Sequence, residues 1–283
     1  MTPEEEEAIR REFEAARSGA TQEQPQQEEP PTFELNDFSR IHHVIGVISG
    51  KGGVGKSLVT GILARELART GARVGILDAD ITGPSIPRMF GLADQKAGGA
   101  AGLIIPARTN GGMRVMSANL VLENEDDPVL WRGPILASAI RQFWAETYWE
   151  DLDYLLVDMP PGTGDVALTV FQSLPIDGVI IVSSPQDLVQ MVVGKAVNMA
   201  KMMNVPVYGL VENMGYLNCP HCGERIEPYG PSRLEATATH YGLRALGQLP
   251  IDASFARACD AGTAETDLPD GLLPDAIAAI MQG

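Results

Sequence analysis

The stretch SGKGGVGKS, from Ser49 to Ser57, limits what this chain can fold into more than any other. It follows an apolar run (Val44, Ile45, Val47, Ile48) that reads as a buried strand. It precedes SLVTGILARELARTG, whose apolar residues at 58, 59, 62, 63 and 67 share one helical face before Gly71 ends the pattern. Strand, glycine loop and helix in that order make an anion site, because glycines admit phosphate oxygens to the backbone and the helix start offers free N–H groups. Gly50, Gly52 and Gly55 satisfy the dinucleotide pattern G-x-G-x-x-G, and Asp78, closing the following strand, stands where a ribose-binding acid would. The eight residues Gly50, Lys51, Gly52, Gly53, Val54, Gly55, Lys56 and Ser57 also satisfy the P-loop pattern G-x-x-x-x-G-K-S. Lys56 and Ser57 favour the P-loop: a triphosphate needs a lysine on its outer phosphates and a hydroxyl on Mg2+, whereas a pyrophosphate is held by backbone amides alone.

Further strands are expected at 102–106, 113–120, 154–160, 178–185 and 205–214, with helical stretches at 133–150, 165–174 and 187–204. Apolar strands alternating with helices predict an α/β fold: a doubly wound, mostly parallel sheet of the P-loop NTPase type with helices on both faces. In such sheets ligands bind at the carboxyl ends of the strands.

Charge is unevenly placed. Residues 1–37 carry eleven acids against three arginines, a net of −8 and half of the −16 of all 283 residues. This Glu-, Gln- and Pro-rich stretch is expected to be a largely disordered acidic tail, leaving 38–283 as one P-loop ATPase domain with an inserted C-x-x-C turn at 219–222. The acidic balance opposes nucleic-acid binding, and no hydrophobic run approaches a membrane span. The ending GLLPDAIAAIMQG has no Lys or Arg and so does not suit membrane docking. Three cysteines form no disulfide framework, and the acidic start resembles no targeting peptide, so a reduced, cytoplasmic protein is expected.

Two more strand ends carry acids. YLLVDMPPGTGD places Asp158 where a Walker B aspartate would hold Mg2+, directly or through water. Gly162 and Gly164 make the next loop pliable, and Asp165 is expected to cap the helix after it. LDADITGPS offers Asp80 to orient the attacking water, with Asp78 in catalysis or in support of the loop.

Taken in order, GKGGVGKS, DADITGPS, WRGP (131–134), DMPPGTGD and CPHCG (219–223) resemble the Mrp/ApbC family of P-loop ATPases. That family belongs to the deviant-Walker-A group with MinD, ParA and the nitrogenase iron protein, and the resemblance spans roughly 38–265. It implies a homodimer in which Lys51 reaches the partner's nucleotide in trans, as an arginine finger would. It also implies an adenine contact from Asn213, with the backbone of 248–252 near the base. For Cys219 and Cys222 it implies a [4Fe–4S] cluster bridging two subunits, held for delivery to apo iron–sulfur proteins. Two thiolates complete neither a cluster nor a zinc site, so a second pair must come from elsewhere. A bridging zinc held by four thiolates and a redox dithiol remain compatible with the spacing. His221 is expected to point away from the site, and Cys259 to be a small buried hydrophobe. Two other functions stay open: a MinD- or ParA-like positioning switch, and an electron donor like the nitrogenase iron protein.

Overall fold

The computed structural model describes residues 34–81, 83–121, 133–185 and 189–283. The acidic stretch 1–33, Thr82 of DADITGPS, and Trp131 and Arg132 of WRGP lie outside the described residues.

Eleven strands are described: β1 (Arg40–Ser49), β2 (Val74–Asp78), β3 (Gly98–Ala100), β4 (Leu103–Ile105), β5 (Ala107–Arg108), β6 (Arg114–Ser117), β7 (Asp151–Asp158), β8 (Gly178–Ser183), β9 (Val207–Asn218), β10 (Arg225–Ile226) and β11 (Ala245–Pro250). Nine form one sheet in the order β10-β9-β8-β1-β7-β2-β6-β5, with β11 also paired to β9. The strands from β11 across to β6 pair in parallel, while β10 and β5 add antiparallel edges. The expected doubly wound sheet is therefore present. The apolar stretch 102–106 departs from expectation: it forms β4 in a separate hairpin with β3, where short exposed glycines replace a core strand.

The helices are α1 (Lys56–Arg69), α2 (Ile86–Met89), α3 (Gly133–Ala145), α4 (Asp165–Phe171), α5 (Val189–Met202), α6 (Leu234–Tyr241), α7 (Ala253–Ala261), α8 (Ala264–Asp267) and α9 (Pro274–Gln282). Side chains of the central strands alternate between two buried layers. Ile45, Val47, Ile76 and Leu156 pack under α1, α7 and α9. Val44, Ile48, Leu77 and Leu155 pack under α3, α4 and α5. The helix expected over 133–150 ends at Ala145, because Thr147 pairs with Ile104 and the chain then enters β7.

The first and second halves of the chain are tied through Arg65 on α1. Its side chain is buried and uses all five donors: Nε to the Glu265 carbonyl (2.7 Å), Nη1 to Glu66 Oε1 (2.6 Å) and the Pro269 carbonyl (3.0 Å), Nη2 to the Leu268 carbonyl (2.8 Å) and Asp270 Oδ1 (2.7 Å). A buried guanidinium is tolerable only when so satisfied. Removing it strips three carbonyls of this donor and leaves Glu66 with the Gly271 amide and Arg69, so Arg65→Ala should cost about 3 kcal/mol or more of stability. Urea unfolding of the two proteins checks this, and a loss below about 1 kcal/mol would contradict the account.

Candidate functional site

The loop 50–55 joins β1 to α1 beside the point where the chain's winding reverses: β1 leads through α1 to β2 on one side, β8 through α5 to β9 on the other. Two glycines are required there by contact. A Cβ on Gly50 would lie 2.2 Å from the Val192 carbonyl oxygen of α5. A Cβ on Gly55 would lie 2.1 Å from Asn213 Nδ2, and Gly55 has φ +79° as it caps α1. Gly52 and Gly53 are exposed, and Val54 is buried in the core.

The two lysines of the loop have different environments. Lys51 is partly exposed. Lys56 is buried, its Nζ 2.7 Å from Asp158 Oδ1 and 3.9 Å from Asp80 Oδ2. The ammonium is thus held by Asp158 as an ion pair without good hydrogen-bond geometry, and Asp80 lies beyond hydrogen-bond distance. Asp158, fully buried at the end of β7, also accepts from Ser57 Oγ (2.5 Å) and Thr60 Oγ1 (2.7 Å). Sequence reading overlooked Thr60. Its position one turn beyond Ser57, on the same face of α1, was the available signal.

Asp78 and Asp158 are neighbours in register on β2 and β7. Asp78 accepts from the amides of Asp80 and Ile86, each at 3.2 Å, which makes it a brace for the loop carrying Asp80. Burial, reinforced by the Asp158 charge and opposed by Lys56, raises the Asp78 carboxyl well above the usual carboxylate range.

The loop after β7 leans on the phosphate loop: the Gly162 amide donates to the Ser49 carbonyl (3.0 Å), and Pro161 lies beside Gly52. Asp165 is the first residue of α4 and not its cap. Gly164 holds the cap position and makes no side-chain bond, so the carboxylate acts on the helix dipole instead. Asn213, on β9, donates from Nδ2 to the Val54 carbonyl (2.9 Å), while its Oδ1 accepts from the Met214 amide (2.9 Å). The structure thus brings Lys56, Ser57, Asp80, Asp158 and Asn213 to one end of the sheet.

Cys219 and Cys222 stand apart from this group, at the tip of the β9–β10 hairpin. The turn is closed by the Cys219 amide on the Glu224 carbonyl and the Gly223 amide on the Cys219 carbonyl, both 2.8 Å. Cys219 is partly exposed and Cys222 exposed. Backbone amides of Cys222 and His221, with the Cys222 thiol, draw the Cys219 thiol below its usual pKa. Among the described residues no third His, Cys, Asp or Glu joins them in a metal-binding group. Cys259 lies half-buried on α7, packed against the core, and burial raises its thiol pKa. No helix of the described residues is long and apolar enough to cross a membrane.

A parallel sheet with a glycine loop, a buried lysine, a helix-start serine and a strand-end aspartate defines a P-loop nucleotide-binding protein. Residues 40–282 match the family model described as ParA: NUBPL iron-transfer P-loop NTPase, and the chain belongs to that family. Relatives named iron–sulfur cluster carrier protein include one from Clostridium perfringens, 50% identical over 236 residues (81% of this chain, 83% of the relative). Another, from Methanocaldococcus jannaschii, is 46% identical over 228 residues (80% and 78%). Among solved structures, a nucleotide-binding protein from Archaeoglobus fulgidus in complex with ADP superposes with a TM-score of 0.74 at 42% identity, covering 83% of this chain and 93% of that one. The cell division ATPase MinD of Pyrococcus furiosus shares the fold, with a TM-score of 0.61 at 20% identity over 85% of this chain and 97% of that one.

The raised Asp78 carboxyl has a measurable sign. The native state holds that proton to a higher pH than the unfolded chain, so stability falls as pH rises from 3.8 through the native value. In Asp78→Asn that fall is absent. A constant offset from the lost acceptor aside, the melting temperature of the variant relative to the native protein should rise between about pH 4 and pH 8. A difference that stays flat across that range would show that Asp78 is not raised.

Proposed function

We propose that this protein is an ATP-hydrolysing iron–sulfur cluster carrier that holds a [4Fe–4S] cluster between two copies of the chain and delivers it to apo iron–sulfur proteins. The observation carrying this reading is the Cys219–Cys222 turn at the surface, with the Cys219 thiol pKa lowered by turn amides and no further ligand among the described residues, on a nucleotide-binding scaffold. A cluster needs four thiolates, and a second copy of the turn would supply the missing two. The carrier name borne by the relatives from C. perfringens and M. jannaschii supports the same cargo.

The nucleotide end fits a triphosphate with Mg2+. Lys56 offers a buried ammonium to the outer phosphates, and Gly50 and Gly55 keep the loop backbone in a path that any side chain would block through Val192 or Asn213. Ser57 and Asp158 would hold Mg2+, which supplies countercharge to the phosphates. In this reading Asp80 orients the attacking water and Lys51 reaches the nucleotide of the other copy. Asn213 faces the base, near the backbone of 248–252, and also fixes the loop through Val54. Exposed, oxidisable thiols suit a reducing compartment, and in this reading the protein works in the cytoplasm.

Anaerobic preparation followed by iron, sulfide and zinc analysis with a visible spectrum tests the cargo. About four irons and four sulfides per two chains, with broad absorption near ~400 nm, are expected. Cys222→Ala should lose the cluster while keeping its fold and nucleotide binding. One zinc per two chains with no chromophore after reconstitution, or a full cluster in the variant, would refute the carrier reading.

A further inference from the structure

Strand β9 serves both proposed sites. At its middle Asn213 holds the phosphate loop through Val54, and at its end it becomes the cysteine hairpin. Between the two the strand is irregular. Its register against β11 passes from Glu212–Gln248 to Tyr216–Pro250, so residues 213–215 stand opposite Leu249 alone. Met214 within this bulge has φ +60°, a conformation that costs a non-glycine residue energy and persists only where its surroundings impose it. A bulge at this point would leave the hairpin poorly aimed unless something fixed it.

A line of side chains crosses the bulge. Glu212, the residue before Asn213, is fully buried; its Oε1 accepts from Gln248 Nε2 and from Ser232 Oγ, both at 2.7 Å. Its Oε2 is buried without a hydrogen-bond partner, so the two bonds to Oε1 are what the carboxylate has. On its other side Gln248 Oε1 accepts from Arg225 Nη2 (2.5 Å) on β10. The Arg225 guanidinium lies 3.9 Å over the Tyr216 ring, bracing both arms of the hairpin three residues from each cysteine. Arg225 also approaches Glu227 at 3.6 Å, a half-exposed pair that contributes little. A carboxylate only accepts and a guanidinium only donates, so the residue between them must do one at each end, as a carboxamide does.

We propose that Gln248 is a positioning residue that transmits the state of the nucleotide loop to the cysteine turn, through Glu212 on one side and Arg225 on the other. The inference rests on the assignment of those two sites given above. A shift of Val54 when phosphate enters the loop moves Asn213. Glu212, next in the strand and facing the opposite layer, then moves with it and draws on Gln248 and Arg225. The hairpin is thereby re-aimed at its tip, where Cys222 is exposed.

The test is the alkylation rate of Cys219 and Cys222 in the cluster-free full chain, resolved by mass spectrometry, with and without a non-hydrolysable ATP analogue. Nucleotide affinity is measured on the same samples. In the native protein the analogue should change the rate about fivefold or more, the size of an ordinary coupling between two sites. Gln248→Leu should bring that ratio close to one when the analogue is saturating, and Gln248→Glu should do the same by setting a carboxylate against Glu212. The exchange pair E212Q with Q248E restores a donor to one side and an acceptor to the other, and should recover the ratio. A merely structural Gln248 would give no such recovery. A native ratio of one, a Gln248→Leu ratio equal to the native one at saturating analogue, or failure of the exchange pair would each overturn the coupling. A native protein that binds neither nucleotide nor iron would overturn the coupling together with the carrier reading, and the affinity and iron data tell these outcomes apart.

Discussion

One buried ammonium organises the nucleotide end of this protein. Asp78 and Asp158 end adjacent parallel strands and are fully buried, and Asp80 lies within reach of the same group. Two carboxylates so placed repel one another, and burial adds to the cost. Lys56 offsets part of this, and the hydroxyls of Ser57 and Thr60 take up more of Asp158's demand. The start of α1 is therefore locked to the end of β7 before any ligand arrives. Phosphate placed beside this set would meet a lysine already held in position by Asp158. Preorganisation of this kind lowers the ordering cost of binding.

The fold was legible in the sequence because its central strands are buried on both faces and read as unbroken apolar runs. The phosphate loop was legible for a different reason: glycine is demanded by contact at Gly50 and Gly55, and no other residue fits. What escaped were elements whose reason lies in partners distant in sequence. Strand β11, with Gly247 and Pro250 and two register shifts against β9, has no period of two to betray it. The stretch at 102–106 looked like a core strand but joins a separate hairpin. Glu212 reads as an ordinary polar residue in VENMG, yet it is fully buried, and only the fold brings Ser232 and Gln248 to it.

The cysteine turn was visible as a spacing, but its chemistry was not. Spacing alone allowed cluster, zinc or dithiol, and nothing in CPHCG distinguishes them. The hairpin adds that amides of the turn point at Cys219, that Cys222 faces solvent, and that the turn hangs from the strand touching the phosphate loop. A pair of thiols so exposed matches the carrier function proposed above.

The Arg65 clamp bears on how the molecule is made. Its partners at 265–270 are about two hundred residues further along the chain. During synthesis the helix behind the phosphate loop must wait for them with an unsatisfied guanidinium on its inner face. A nascent chain that has already produced the glycine loop, both strand-end aspartates and the cysteine turn thus still lacks the partners that bury α1. Its buried polar contacts close only once the chain has been made almost to its end.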